Sequence, residues 1–187
     1  MTSDERSMRE RMLAGEPYIA DESVGTLHEA AMELLEAYNA TSVREPARRR
    51  ELLERLLGSV GEETVVRPPL YVDYGSNLTI GRGTFVNFGL VALDVAAITI
   101  GDDVQIGPNV QLLTPTHPVD PESRRQKWES AEPITIGDNV WLGGGAIVCP
   151  GVRIGENTVV GAGAVVAKDL PANVVAVGNP ARVVREL

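Results

Sequence analysis

Aliphatic residues return at every sixth position through the second half of the chain. Ile100 and Ile106 open two consecutive units, and after one interruption Ile136, Leu142, Val148, Ile154, Val160 and Val166 hold the same slot. Four places on from an opener sits a small or β-branched residue, as at Val104, Val110, Val140, Ala146, Val152, Thr158 and Ala164. A helix face needs a period of 3.6 and plain strand alternation a period of two. Six fits short strands joined by tight bends, three of them closing a triangular coil of eighteen residues, the distance from Ile136 to Ile154. The aliphatic residues then stack inward, and Gly and Asn supply corners with positive φ. Stacked coils pair as parallel strands about 4.8 Å apart. The pattern predicts a parallel β-helix over residues 61–187; a β-sandwich would reach this spacing only by accident.

Two places break the beat. With Val66, Val72 and Leu78 read in the four-on slot and Ile80 and Val86 as openers, the register slips by two residues before Ile100. The extra residues fall around Leu93-Asp94-Val95. The second break is longer: regular units stop after Leu112 and resume at Ile134. Residues 114–133 must therefore leave the prism as a protruding loop, polar and proline-rich, with His117 at its root. Insertions in a solenoid map to loops on one face, often the binding face, and such loops carry function disproportionately often.

Residues 1–60 follow the helical period and are expected to form a separate helical region. Ser3-Asp4-Glu5-Arg6 reads as the cap of a short helix carrying Met8, Met12 and Leu13, stopped by Gly15-Glu16-Pro17. Leu27, Ala30, Ala31, Leu34, Leu35 and Tyr38 make one apolar stripe. A further helix runs from Pro46 to Gly58 with Leu52, Leu53, Leu56 and Leu57 inward. Helices this short hold no core alone, so they are expected to dock on the β-helix. Tyr18 lies in a connecting loop that can reach a ligand, with Asp21 nearby. Arg48-Arg49-Arg50 reads as a solvated face and His28 as a surface or packing residue.

Composition narrows the picture further. Hydrophobic residues make up 43% and aromatics 4%, as a narrow prism that admits few rings would require. The single cysteine, Cys149, excludes an internal disulfide, favours a reducing compartment and sits in a structural slot. No apolar run approaches a membrane span and the N-terminus is charged, so a cytoplasmic protein is expected. A net charge of −9 argues against nucleic acid as partner. Residues 134–187, with four basic and four acidic side chains, are the neutral stretch where a polyanionic ligand meets least repulsion.

Several segments together resemble the maltose and galactoside O-acetyltransferase group of the hexapeptide-repeat acyltransferases. They are Met12-Leu13-Ala14-Gly15-Glu16, Tyr38-Asn39-Ala40-Thr41, Pro68-Pro69, Asp73-Tyr74-Gly75-Ser76-Asn77, Asn87-Phe88, Leu93-Asp94 and Thr116-His117-Pro118. Asp138-Asn139-Val140-Trp141-Leu142-Gly143-Gly144 and Val177-Gly178-Asn179-Pro180-Ala181 complete the set. The resemblance implies a left-handed parallel β-helix, although the usual crossover rule favours the right hand. It also implies transfer of an acetyl group from acetyl-CoA to a sugar hydroxyl, without a metal, by a homotrimer with sites between neighbouring prisms. Outward apolar residues such as Trp141, Val159 and Val165 agree with an oligomer.

By the same resemblance His117 is the general base, a role suited to an imidazole whose ordinary pKa lies near 6.5. Glu129 stands where maltose-type members carry a carboxylate near that histidine. Asn87 matches the amide at the reacting centre, in contact with sugar or cofactor, and Asp73 and Asp94 match positions that line the sugar pocket. Gly144, Ala162, Ala167, Lys168, Arg182 and Arg185 match the CoA positions. One departure concerns the N-terminal sugar-contacting aspartate: Ala20 aligns with it, and Asp21 is one residue late. Glu129 and Ala14-Gly15-Glu16 favour a glucose- or maltose-like acceptor. A zinc carbonic anhydrase of the same fold would need three histidines, and a non-catalytic assembly subunit would need none of these residues together.

Overall fold

The computed structural model describes residues 6–187. From Ser59 onward the chain winds through three parallel sheets of five, five and seven strands, the last closed by one antiparallel strand. Its mainly β solenoid is the fold that the six-residue period predicts.

Each sheet is one face of the prism, and the outward residues differ sharply between faces. The first face stacks Ser59, Thr79, Thr99, Thr135 and Arg153. The second stacks Val65, Phe85, Gln105, Trp141, Val159 and Val175. The third stacks Tyr71, Val91, Gln111, Ile147 and Val165. One face is thus polar and two are largely apolar.

Inward, the aliphatic ladders run unbroken. Ile80, Ile100, Ile136 and Ile154 pair in register, as do Val66, Val86, Ile106, Leu142 and Val160. All are buried, and each such side chain contributes roughly 1.5–3 kcal/mol of burial. Val66 and Val72 differ from expectation. They lie in the opener ladder, not four places on, because Val72 pairs with Ala92 and Val66 with Val86. A slip of two residues before Ile80 is what counting back by sixes overlooks.

Polar bonds tie the coils together at the corner between the first and second faces. Asn139, Asn157 and Asn173 all have positive φ there. Asn139 Nδ2 donates to Asn157 Oδ1 at 2.9 Å, and Asn157 Nδ2 to Asn173 Oδ1 at 2.8 Å. Buried threonines add a second link: Thr84 Oγ1 donates to the Gly101 carbonyl and Thr158 Oγ1 to that of Pro171.

Three helices precede the solenoid, and the second and third of them cover its opening. α1 spans Met8–Leu13, α2 Glu22–Asn39 and α3 Pro46–Leu56. Ser3, Asp4 and Glu5 lie outside the described residues. The cap of α1 is Ser7, which with Glu10 forms a reciprocal capping box and so satisfies first-turn N–H groups. Ala31, Leu35 and Tyr38 of the expected stripe are buried, joined by Val24; Leu27 and Leu34 are half-buried and Ala30 is exposed. Docking is specific as well as apolar. Tyr38 is 0% exposed and donates to the Val66 carbonyl at 2.7 Å. Asn39 brackets the Leu70 backbone, donating to its carbonyl and accepting from its N–H, both at 2.9 Å.

Removing the Tyr38 hydroxyl would strand the buried Val66 carbonyl, which costs about 1–3 kcal/mol. Tyr38→Phe is therefore expected to lower unfolding stability by that amount while leaving the far coils intact. Chemical unfolding at fixed protein concentration checks it, and an unchanged midpoint would show that the hydroxyl does not anchor the cap.

Candidate active site

Every insertion in the solenoid leaves at one corner, between the third face and the first. Openers there are plain six-residue neighbours only from Val148 to Ile154. Two extra residues separate Val72 from Ile80 and Ala92 from Ile100, and the long excursion separates Leu112 from Ile136. Asp73, Asp94, His117 and Glu129 all lie on these insertions, so the topology brings four of the expected site residues to one edge.

Asp94, expected at the sugar pocket, is enclosed by backbone. It is 0% exposed, and its carboxylate accepts three backbone N–H bonds, from Asp73 at 3.0 Å, Tyr74 at 2.8 Å and Asn77 at 3.1 Å. Asn77 returns a bond from Nδ2 to the Asp94 carbonyl at 2.8 Å. Asp94 thus shapes the bend that presents Asp73. Burial, then the charge of Asp94, pushes the Asp73 carboxyl up to about 6. Burial and the carboxylates of Asp73, Asp94 and Glu129 push Tyr74 up to about 12. His28, read in the sequence as a surface or packing residue, is exposed and leans on this bend: its Nδ1 lies 2.9 Å from the Asp73 carbonyl and its ring meets Tyr74 edge-on. Only the fold brings α2 across to this corner.

The long excursion is a hairpin. Its strands are Pro115–Thr116 and Trp128–Ala131, with a one-turn helix α4, Pro121–Arg125, capped by Asp120. Thr114 fixes the root, donating from Oγ1 to the Leu93 carbonyl at 2.6 Å. Thr116 and Ser130 join hydroxyls at 2.7 Å. Pro115 pairs with Ala131 and Thr116 with Ser130; exposed His117 follows the last paired residue, and extending the register by one step sets it opposite half-buried Glu129.

The N-terminal arm adds a third strand. Tyr18 pairs with Glu129 and Ile19 with Trp128. Tyr18 is 2% exposed, buried by the fold instead of reaching out from a loop, and its hydroxyl donates to Glu129 Oε2 at 2.9 Å. Asp21 is occupied otherwise. It caps α2, accepting from the Ser23 N–H at 3.0 Å and the Val24 N–H at 3.3 Å, and the Ser23 hydroxyl chiefly holds its carboxyl low.

The remaining expected residues lie elsewhere on the prism. Asn87, Gly144 and Ala162 stack along the corner between the second and third faces, Gly144 two coils and Ala162 three coils below Asn87. Asn87 Oδ1 accepts from the Phe88 N–H at 2.9 Å, which leaves its Nδ2 donors for a ligand. Exposed Ala167 and Lys168 turn the insertion corner near the far end. Lys168 and Arg182 line one groove of about 310 Å³ with Asp169 and Val183. Arg185 sits on the closing strand opposite Val175. Among the described residues no three His, Cys, Asp or Glu gather as metal ligands, and no helix is long and apolar enough to cross a membrane.

The raised Asp73 carboxyl has a sign that can be tested. Its folded value, about 6, lies above its ordinary one, so its contribution to stability is fully present at acid pH and is lost as pH rises through 6. Asp73→Asn removes that loss. The melting temperature of the variant relative to wild type is expected to rise between pH 4.5 and 8; a pH-independent difference would place Asp73 in an ordinary solvated setting.

Comparison with known proteins bears on all of this. The maltose acetyltransferase hexapeptide capping motif matches residues 11–61, and the six-repeat bacterial transferase hexapeptide matches residues 133–168. Nodulation protein L of Rhizobium meliloti is 49% identical over 95% of this chain and 98% of its own. The crystal structure of a maltose O-acetyltransferase from Clostridium difficile superposes with a TM-score of 0.96 at 43% identity, over 98% of this chain and 99% of that one. A galactoside acetyltransferase in complex with coenzyme A superposes at 0.93 with 42% identity, over 97% and 92%. The chain is a member of the maltose and galactoside O-acetyltransferase group of the hexapeptide-repeat acyltransferases.

Proposed function

We propose that the protein moves an acetyl group from acetyl-CoA to a hydroxyl of a glucose- or maltose-like sugar, with His117 as general base. The observation that carries this reading is the placement of His117. It is an exposed imidazole on a braced hairpin, at the corner where every insertion leaves and where Asp73 also lies. An alcohol is a poor nucleophile at neutral pH. As the acceptor oxygen bonds to the thioester carbonyl carbon, its proton passes to a ring nitrogen of His117. When the tetrahedral adduct collapses, the carbon–sulfur bond breaks and that proton goes to the departing CoA sulfur, leaving an acetyl ester and free coenzyme. Asp73 is suited to accept hydrogen bonds from acceptor hydroxyls.

Asn87 stands on a different edge from His117, so one prism does not hold both against one acceptor. We assign the completion of the site to a neighbouring copy in a homotrimer, with its own Asn87 edge facing the His117 hairpin. The two apolar faces support this, since a lone soluble solenoid would avoid leaving Trp141 55% and Val65 51% exposed. Gly144 and Ala162 then leave backbone groups open to the pantetheine amides, while Lys168, Arg182 and Arg185 meet the coenzyme's phosphates, Arg by its fork and Lys as a point charge; Ala167 lets the cofactor pass close to the corner. Glu129 and the Ala14-Gly15-Glu16 segment support the maltose-like acceptor over a galactoside.

Removing a general base costs ~10²–10⁴-fold in rate. His117→Ala is expected to lose kcat on that scale, with the KM for acetyl-CoA and the assembly preserved, as read by free-thiol release on glucose and maltose. Retention of more than about half the wild-type kcat would remove His117 from the base role, since that role carries at least ~10². Arg182→Ala with Arg185→Ala should show the converse, a raised KM for acetyl-CoA at unchanged acceptor KM; wild-type acetyl-CoA kinetics would make both arginines mere end-capping charges.

A further inference from the structure

The ring of Tyr18 packs in a hydrophobic cluster with Met12, Val24, Val95 and Ala131, but its hydroxyl takes an unusual partner. A phenol only 2% exposed must find a partner for its hydroxyl, and most buried tyrosines use a backbone carbonyl, as Tyr38 does here. Tyr18 instead donates to a carboxylate from a segment 111 residues away, Glu129 Oε2 at 2.9 Å. The strand that carries it adds to the outer edge of the His117 hairpin, with Tyr18 in register with Glu129 and Ile19 with Trp128. Further contacts hold the arm in place. Met12 is buried beside Tyr18, Arg11 stacks over the Trp128 ring at 5.6 Å, and Arg11 Nε donates to the Pro17 carbonyl at 2.8 Å.

We infer that Tyr18 is a positioning residue for acyl transfer: its hydroxyl holds the Glu129 carboxylate fixed on the hairpin that carries His117. The inference rests on the reading of His117 as base. Residues directly opposite in an antiparallel pair have Cβ atoms about 4.5–5.5 Å apart, so a carboxylate held there faces the imidazolium that forms when the base takes its proton. A half-buried Glu left to itself spreads over many rotamers, and ordering it costs conformational entropy. A hydrogen bond from a rigid, buried phenol meets that cost before substrate arrives. The phenol itself is held far from ionising by burial and by Glu129, so it acts as a fixed donor throughout the cycle.

Tyr18→Phe keeps the ring and deletes only the bond. Loss of one charge-assisted hydrogen bond predicts a fall in kcat of roughly ten-fold, an unchanged KM for acetyl-CoA and an acid limb of the pH–rate profile moved to lower pH. Glu129→Gln should show the same two effects. Adding Tyr18→Phe to Glu129→Gln should cost nothing further, because both act through one carboxylate. Wild-type kcat and acid limb in Tyr18→Phe overturn the inference even if the variant melts lower, and so do fully additive losses in the double variant. The failure of the underlying reading looks different: there His117→Ala itself stays active.

Discussion

The interior of this molecule has no room for a seventh residue per face. Each coil closes when three openers, such as Ile136, Leu142 and Val148, meet at the prism axis above Ile154, Val160 and Val166. A residue added inside a face would swing the next opener outward and end the ladder, since one step of a strand reverses the side a residue faces. Additions are tolerated only at corners, and here all of them use the same one. That steric rule does the gathering: Asp73, Asp94 and the His117 hairpin come together because a strictly counted core pushed them out at one edge.

The same rule explains why the helical region and the active corner are coupled. An open solenoid end needs a cover, and α2 with α3 supplies it through Tyr38, Asn39 and Leu52. The segment before α2 has length to spare and runs down to the hairpin, where Tyr18 reaches Glu129, and α2 itself brings His28 to the Asp73 backbone. Capping the fold and bracing the site are therefore tasks of one continuous stretch. The contrast between a threonine-lined face and two apolar faces fits an assembly in which only one side of each prism meets water.

Much of this was legible in the chain. The six-residue beat specified the inward ladders from Ile80 onward, and the long break marked the hairpin and His117. Asp94 shows where legibility ended: its position on an insertion was visible, but not that three backbone N–H groups consume its carboxylate. The slip before Ile80 was hidden because a two-residue bend keeps the apolar alternation intact, so Val66 and Val72 still looked periodic. Tyr18 and His28 carry no local signal at all. Their partners are 111 and 45 residues distant, and short helices with an intervening bend give no periodicity from which such pairing can be read.

The central claim is that catalysis needs two edges, the His117 hairpin of one prism and the Asn87 corner of its neighbour. Complementation tests it most directly. His117→Ala and Asn87→Ala chains, each expected to be nearly inactive alone, are co-expressed with different tags, and mixed assemblies are isolated through both. In a cyclic trimer that holds both kinds of chain, one interface in three joins an intact His117 to an intact Asn87. The account expects mixed assemblies to recover activity approaching that fraction of wild type. Mixed assemblies as inactive as either parent would contradict it and place the whole site within a single chain.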